Sequence, residues 1–386
     1  RSDVPEVPAA QIVPVTITLP PLEPPPAEPS AEVPTLVEAA NSDIVVREKA
    51  LASELGRMWT RHPEELVKVI DEASRSATVS PSVTLLLAIA HAETNGQILD
   101  ISEAGAVGLA QATPIACRQE QFDGRLYVTG DYLDGARAYL MKKPLGDADT
   151  IASLIVDHDN AKTRKKAKRL LRAAFELRLE GVEELDLLDP WADDGFTTDV
   201  KQAKLHNLHT LQRLEVLLDH GTRAQLRTFR NHARDEYRDL KRTQLESWER
   251  YQRELIARRD SMLQNHFGIP ASEVKATMPY EAGEYLAGAL DERFSAKQMA
   301  AFLVQHLERK SEEARELARS GSRVEEMTAA LYNGGSHNVK RMLAGLIVRL
   351  PETQNYMKKV PATRRRLDRT IADVRDPLQT VRTEAR

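Results

Sequence analysis

The stretch from Leu85 to Thr113, LLLAIAHAETNGQILDISEAGAVGLAQAT, limits what this chain can become more than any other. An apolar run with helical spacing carries one carboxylate, Glu93, near its end and then breaks into small residues, Ala104-Gly105-Ala106-Val107-Gly108. Ser80 suits an N-cap and Pro81 the first helical position, where its missing N–H costs nothing. Leu85, Leu86, Ile89 and Ala90 are i, i+3, i+4 neighbours, so most of this helix is expected to be buried, and Asn95-Gly96 suits its C-terminal end. Glu93 then falls in the last turn, against an apolar body and near the negative end of the helix dipole. Both effects disfavour the carboxylate. A carboxyl held in an apolar pocket has a pKa of roughly 6, enough for a general acid near neutral pH. The same residues also fit a solvated helix-end glutamate, because shifted carboxyls mark sites only statistically.

At 386 residues the chain exceeds the usual single-domain size, so two structural units with tails are expected. A net charge of -4 exerts no global pull toward nucleic acid or anionic membrane, and 5% aromatics argues against a base-stacking platform; no nucleic-acid partner is expected. The single cysteine, Cys117, excludes an intramolecular disulfide and reads as a small buried apolar residue. The longest apolar run, Val83 to Ala90 with one Thr, is far short of the ~20 residues that span a bilayer, so no transmembrane segment is expected. The chain starts at Arg1 without a Met or an apolar signal core, which reads as a processed or trimmed product with any targeting segment outside it.

Residues 1 to about 36 hold ten of the 20 prolines, which favours a polyproline-like tether; the alternation Val13, Val15, Ile17, Leu19 could also add as an edge strand. Helical patterns run from Ile44 to Trp59 and from Pro63 to Ser74, as scaffold for the Glu93 helix. From about 118 to 290 the chain is rich in Arg, Lys, Glu, Gln and Leu at helical spacing, most clearly over 200–266. Lys162 to Arg172 holds seven basic residues and no acidic one. That run fits either a polyanion contact or a solvated helix face with Leu170 and Leu171 turned inward, and the second is preferred. His206 and His209 have a zinc-compatible spacing without an obvious third ligand, so no metal and no cofactor is expected. A charged amphipathic stretch covers 291 to 319. An apolar segment then ends at Gly334-Gly335, Pro351 opens a further helix, and the part after Pro361, with Arg364, Arg365 and Arg366, reads as a frayed or surface helix.

Three separated pieces resemble one family. The segment AHAETNGQILDISEAGAVGLAQATPIA is similar to the ESG…SPAGAxGLMQxMPxTA signature of the lytic transglycosylases related to the soluble periplasmic enzyme, ALYNGG to their AYNAG motif, and LPETQNYMKKV to their (L/I)PxETxxYVxxV motif. Ser102 and Gln111 follow Glu93 at nine and eighteen positions, as in that family. The resemblance covers about a third of the chain and implies a mainly all-α, lysozyme-like catalytic domain. It also implies a role for each matching residue. Glu93 matches the lone catalytic acid/base, Ser102 and Gln111 the residues that hold the sugar near the scissile bond, and Tyr332 and Asn333 the groove wall. Glu352 and Tyr356 match a pair that contacts substrate and orients the acid. Taken singly, each also fits a cap, turn, first-turn or core role.

The expected reaction is that of a peptidoglycan lyase. Glu93 protonates the leaving oxygen of the β-1,4 bond after N-acetylmuramic acid, then takes the proton of the sugar's own C6 hydroxyl as a 1,6-anhydro ring closes. A second carboxylate, which ordinary glycosidases require, is then unnecessary. The sequence departs from the pattern at Thr94 for Ser, Ala110 for Met and Gly334 for Ala. The largest departure is length, with 221 positions from Gln111 to Tyr332. The family's GAxYL-like helix has two candidates, Gly135 to Leu140 and the stretch around Gln298 to Leu307. Preferring the second gives a linker over 1–42, a catalytic domain over 43–117 and 291–362, a helical insertion over 118–290 and a basic tail over 363–386.

The expected partner is the glycan strand of peptidoglycan, in the periplasm or cell envelope, with the insertion as a surface for a protein partner or self-association. Two alternatives are a lysozyme-type muramidase on the same fold and a catalytically weak wall-binding scaffold that works through the insertion.

Overall fold

The computed structural model describes residues 36–76, 81–180, 208–318, 323–347 and 350–384. The proline-rich tether, Ser80, the acidic run after Glu180 and His206 lie outside them. The chain divides into two units, Arg1–Ile44 and Val45–Arg386. The packed cores lie in the second.

The described residues are all-α, with no strand and only two isolated bridges, Ile101 with Val107 and Val107 with Ala112. The helices are α1 (Leu36–Arg57), α2 (Pro63–Ser76), α3 (Val83–Thr94), α4 (Pro114–Gln119), α5 (Gly130–Asp157) and α6 (Ala161–Glu180). They continue with α7 (208–220), α8 (Arg223–Phe267), α9 (Ala271–Thr277), α10 (Pro279–Ala289), α11 (Ala296–Leu317), α12 (Val324–Gly334), α13 (Ser336–Ala344) and α14 (Pro351–Glu384). Two starts differ from expectation. α1 begins at Leu36 rather than Ile44, since LVEAAN holds no helix breaker. α3 begins at Val83, because Ser82 is extended at φ -54 and ψ 130; Ser82 holds the cap position without a side-chain cap bond, and Pro81 precedes the helix. Its end is as expected: Asn95 takes the left-handed conformation at φ 53 and Gly96 follows at φ 81.

α3 is the centre of the larger core. Leu86, Leu87 and Ile89 are fully buried, each contributing ~1.5–3 kcal/mol relative to exposure. α2 and α14 pack on α3, and α11 and α12 pack on α2 and α14 respectively, with α11 also against α12. The stretch 118–290 divides between two cores. Its base, with Tyr132, Ala136 and Leu140 of α5 and Tyr251, Leu255 and Leu263 of α8, belongs to the same core as α3. Its outer part, from Leu145 through α6 and α7 to Ala233, has a core of its own that also takes in Leu346. The continuous pattern over 200–266 is broken at Gly221, where Thr222 and Gln225 form a capping box that starts α8.

On α6 the basic run takes the solvated form: Ala167, Leu170 and Leu171 are buried while Lys162, Lys165, Lys166, Lys168, Arg169 and Arg172 are exposed. The segment after Pro361 does not fray there. α14 continues through it, Leu367 is fully buried, Arg364 pairs with Glu325 at 3.1 Å and Arg366 pairs with Glu54.

One ion pair lies wholly inside the larger core, Asp291 with Arg293, both fully buried and 2.7 Å apart. Removing one partner strands the other charge, so Arg293→Met is expected to cost ~3–5 kcal/mol in urea unfolding near pH 7. A loss below about 1 kcal/mol would show that the pair does not hold this core.

Candidate active site

Glu93 sits one residue before the end of α3, as its position in the apolar run requires. Its side chain is half-buried, but the carboxyl is enclosed by protein, and burial pushes its pKa from 4.5 up to about 7. The hydroxyl of Tyr356 offsets part of that penalty, the carboxylate of Glu352 adds to it, and Lys359 again offsets it. All three come from the first turns of α14, which packs along α3. The Tyr356 hydroxyl is buried with no partner at hydrogen-bonding distance, and after burial the charge of Glu93 is what most affects it. Its ring lies parallel to that of Tyr332, with centroids 6.4 Å apart and planes at 7°. Tyr332, near the end of α12, also feels the charge of Glu93 and donates its hydroxyl proton to the Ala110 carbonyl at 2.6 Å. Three distant segments thus meet at one carboxyl.

The loop after α3 is built by its own backbone and braced from behind. Ser102 Oγ accepts from the Ala106 N–H at 2.9 Å, and the Gln111 side chain donates to the Gly108 carbonyl at 3.0 Å. Gly105 and Gly108 have φ of 71° and 73°, a region that costs other residues strain. A Cβ on Gly105 would stand 2.3 Å from the Tyr251 ring, and one on Gly108 would stand 2.0 Å from the Arg293 carbonyl oxygen. Arg293 donates to the carbonyls of Gly105 and Ala112 at 2.8 and 2.9 Å and to the Tyr251 hydroxyl at 3.1 Å. From α8, Gln252 donates to the Ile101 carbonyl at 3.1 Å and Arg259 to the Leu99 carbonyl at 2.8 Å.

The chain matches no family model, no curated protein and no solved structure. The site therefore stands on its own geometry. Of the residues singled out in the sequence, Glu93, Tyr332, Glu352 and Tyr356 come together. Gln111 adjoins the residue that Tyr332 bonds, and its side chain is turned to the loop backbone. Ser102 caps the turn of that loop. Asn333 accepts from the Thr353 hydroxyl at 3.0 Å, which ties α12 to α14.

The three departures from the motif all face inward. Thr94 donates to the Ala90 carbonyl at 3.3 Å, Ala110 is buried, and a Cβ on Gly334 would press on Thr353 Oγ1 at 2.9 Å. Cys117 is fully buried, with its thiol pushed up to about 12 by burial. No group of three or more metal-ligating side chains occurs among the described residues, and no helix among them is long and apolar enough to cross a membrane.

The bracing residues Asp291, Arg293, Tyr251 and Arg259 were not visible in the sequence, since no spacing or motif marks them. Neither was the group behind Tyr332, where the His306 ring meets Tyr332 edge-on at 5.2 Å and pairs with Glu120, which Arg309 also holds. Only the Thr113-Pro114 start of α4 carried a local signal, a cap that accepts from the Ala116 N–H at 3.1 Å.

An acid whose folded pKa lies above its unfolded value binds more protons when folded, so stability falls as pH rises from 4.5 to about 7. Glu93→Gln removes that dependence. The variant is expected to gain up to ~3 kcal/mol over the native chain between acidic and mildly alkaline pH, read as paired urea titrations. A difference flat with pH would show Glu93 to be solvated.

Proposed function

We propose that this chain is a peptidoglycan lytic transglycosylase of the lysozyme-like class, its catalytic domain interrupted by a helical insertion over 118–290, acting on glycan strands in the periplasm or cell envelope. The observation that carries the reading is the carboxyl of Glu93, withdrawn from water with a pKa near 7 and met by Glu352, Tyr356 and Tyr332 from the two other motif segments. An acid so tuned is protonated over the lower part of the neutral range and can both give and take a proton there.

In the proposed cycle neutral Glu93 gives its proton to the glycosidic oxygen as the bond to C1 breaks. The substrate's 2-acetamido group stabilises the oxocarbenium-like centre. The Glu93 carboxylate then removes the C6 hydroxyl proton while O6 bonds to C1, which closes the anhydro ring and regenerates the acid. The nucleophile is intramolecular, so no positioned water is consumed. Tyr356 acts on the ionised form of Glu93 as a hydrogen-bond donor. Glu352 acts oppositely, holding the proton on. The base of the insertion, through Gln252 and Arg259, keeps the loop over 99–112 in place beside the acid.

A lysozyme-type hydrolase is the second reading, favoured by Glu352 as a second carboxylate within electrostatic reach of the first. Mass spectrometry of sacculus digests separates the two, since the anhydro product is lighter than the hydrolytic one by one water. Anhydro muropeptides are expected from the native chain and none from Glu93→Gln; undiminished release by that variant removes the assignment.

The pH profile gives a sharper test. Activity that begins with protonated Glu93 falls on the alkaline side near pH 7. Tyr356→Phe removes a group that favours the carboxylate and should move that limb upward. Glu352→Gln removes a repulsion and should move it downward. Shifts of the same sign in both variants would contradict this arrangement.

A further inference from the structure

Trp59 is 85% exposed, more than any other large apolar side chain among the described residues, while its neighbour Met58 packs on the larger core. Its backbone is left-handed, with φ at 63°, a region that a bulky side chain rarely enters. The end of α1 requires that conformation. The Trp59 N–H donates to the Gly56 carbonyl and the Thr60 N–H to the Leu55 carbonyl, both at 3.0 Å, the paired bonds that close a helix around one left-handed residue. Glycine is the usual occupant of that place, since it has no Cβ to oppose the conformation. Tryptophan there is strained, and its indole gains little burial in return. Strain kept without a folding return points to a use for the side chain.

The turn is tied to the end of α3, just past Glu93. Asn95 Nδ2 donates to the Trp59 carbonyl at 2.8 Å, and the Arg61 N–H donates to the Asn95 carbonyl at 2.9 Å. A Cβ on Gly96 would stand 2.2 Å from the Arg61 carbonyl oxygen, so the two turns meet this closely only over a glycine. Thr60 shares a hydrogen bond of 2.9 Å with Nδ1 of His91, which precedes Glu93 on α3. The Trp59 backbone is thus fixed beside the helix end that carries the acid. Lys359 adds a cation to the same neighbourhood. It is exposed, lies one turn beyond Tyr356 on α14, and makes no ion pair or hydrogen bond among the described residues. Burial holds the His91 imidazole below its ordinary range and Lys359 is the next cause, while on Glu93 the same ammonium favours the ionised form.

We propose that Trp59 is a stacking platform for a sugar ring of the glycan strand, and that Lys359 takes a carboxylate of a muramyl unit, from its lactyl group or its stem peptide. The flat indole offers a broad apolar surface to the C–H face of a pyranose, whose hydroxyls stay in water. A neutral amino sugar uses the indole alone, and an acidic one gains the cation as well. The inference rests on the reading of Glu93 as the acid that cuts such a strand, with Trp59 holding a unit to one side of the scissile bond.

The test is calorimetric titration of the full chain near pH 7 at low ionic strength, carrying Glu93→Gln so that no probe is consumed. The probes are a neutral oligomer of N-acetylglucosamine and a peptidoglycan glycan fragment of the same length, with and without its stem peptides. Adding Trp59→Gly should weaken all of them by about tenfold or more and leave the unfolding midpoint no lower, because glycine suits the left-handed turn. Trp59→Phe should restore most of the binding, and Leu343→Ser, at another exposed apolar position, should leave it unchanged. Lys359→Gln should weaken only the muramyl probes: a loss without stems alone identifies the lactyl carboxylate, and a loss with stems alone that of the peptide. No binding of any probe, undiminished binding by Trp59→Gly, or a lower unfolding midpoint in that variant would overturn the assignment, and equal losses on neutral and acidic probes would remove the role of Lys359. A native chain that releases no anhydro muropeptides, yet binds these probes through Trp59, sinks the transglycosylase reading and leaves the sugar site standing. Anhydro release with binding that ignores Trp59 does the reverse.

Discussion

The architecture turns on one enclosed ion pair. Arg293 and Asp291 have no access to water, and such a pair is stable only when every remaining donor and acceptor is satisfied. Here the guanidinium reaches two carbonyls of the loop after α3 and the hydroxyl of Tyr251, while the carboxylate accepts from its own chain and from the Tyr127 N–H at 3.0 Å. The pair therefore joins the loop, the long helix α8 and the entry to α11. A loop with two left-handed glycines has little reason to hold one shape by itself, and the arginine supplies that reason.

The position of the acid follows from the helix that precedes that loop. α3 is buried by the ordinary apolar effect, which carries Glu93 into a place where its charge is costly. The surrounding groups then set the size of the penalty, with Tyr356 favouring the ionised form and Glu352 opposing it. A carboxyl poised near neutrality is what burial and neighbours together produce, and it costs stability at alkaline pH. Stability lost at one side chain in this way is typical of residues kept for chemistry.

The long helical stretch between Gln111 and Tyr332 has two parts with different work. Its base shares the core of α3 and contributes Gln252, Arg259 and Tyr251 to the loop beside Glu93. Its outer part has a separate core and meets α13 through the Asp147–Arg341 pair. The same 118–290 stretch thus connects the surroundings of Glu93 with α13.

The sequence by itself determined the local features: the apolar helix ending at Asn95-Gly96, the place of the acid in its last turn, the inward Leu170 and Leu171 beneath a basic face, and the helix that opens at Pro351. Each depends on residues close in the chain, where periodicity, caps and φ preferences act. It also pointed to a pKa of roughly 6 for Glu93, lower than the structure's value near 7, because burial, the largest cause of the rise, depends on helices distant in the chain that close over the carboxyl. Only the tertiary structure decided that Ser102 and Gln111 turn to their own loop, that α14 past Pro361 buries Leu367, and that Asp291 and Arg293 become enclosed. Burial of a charge depends on which distant surfaces close over it, and a one-dimensional pattern does not contain that information.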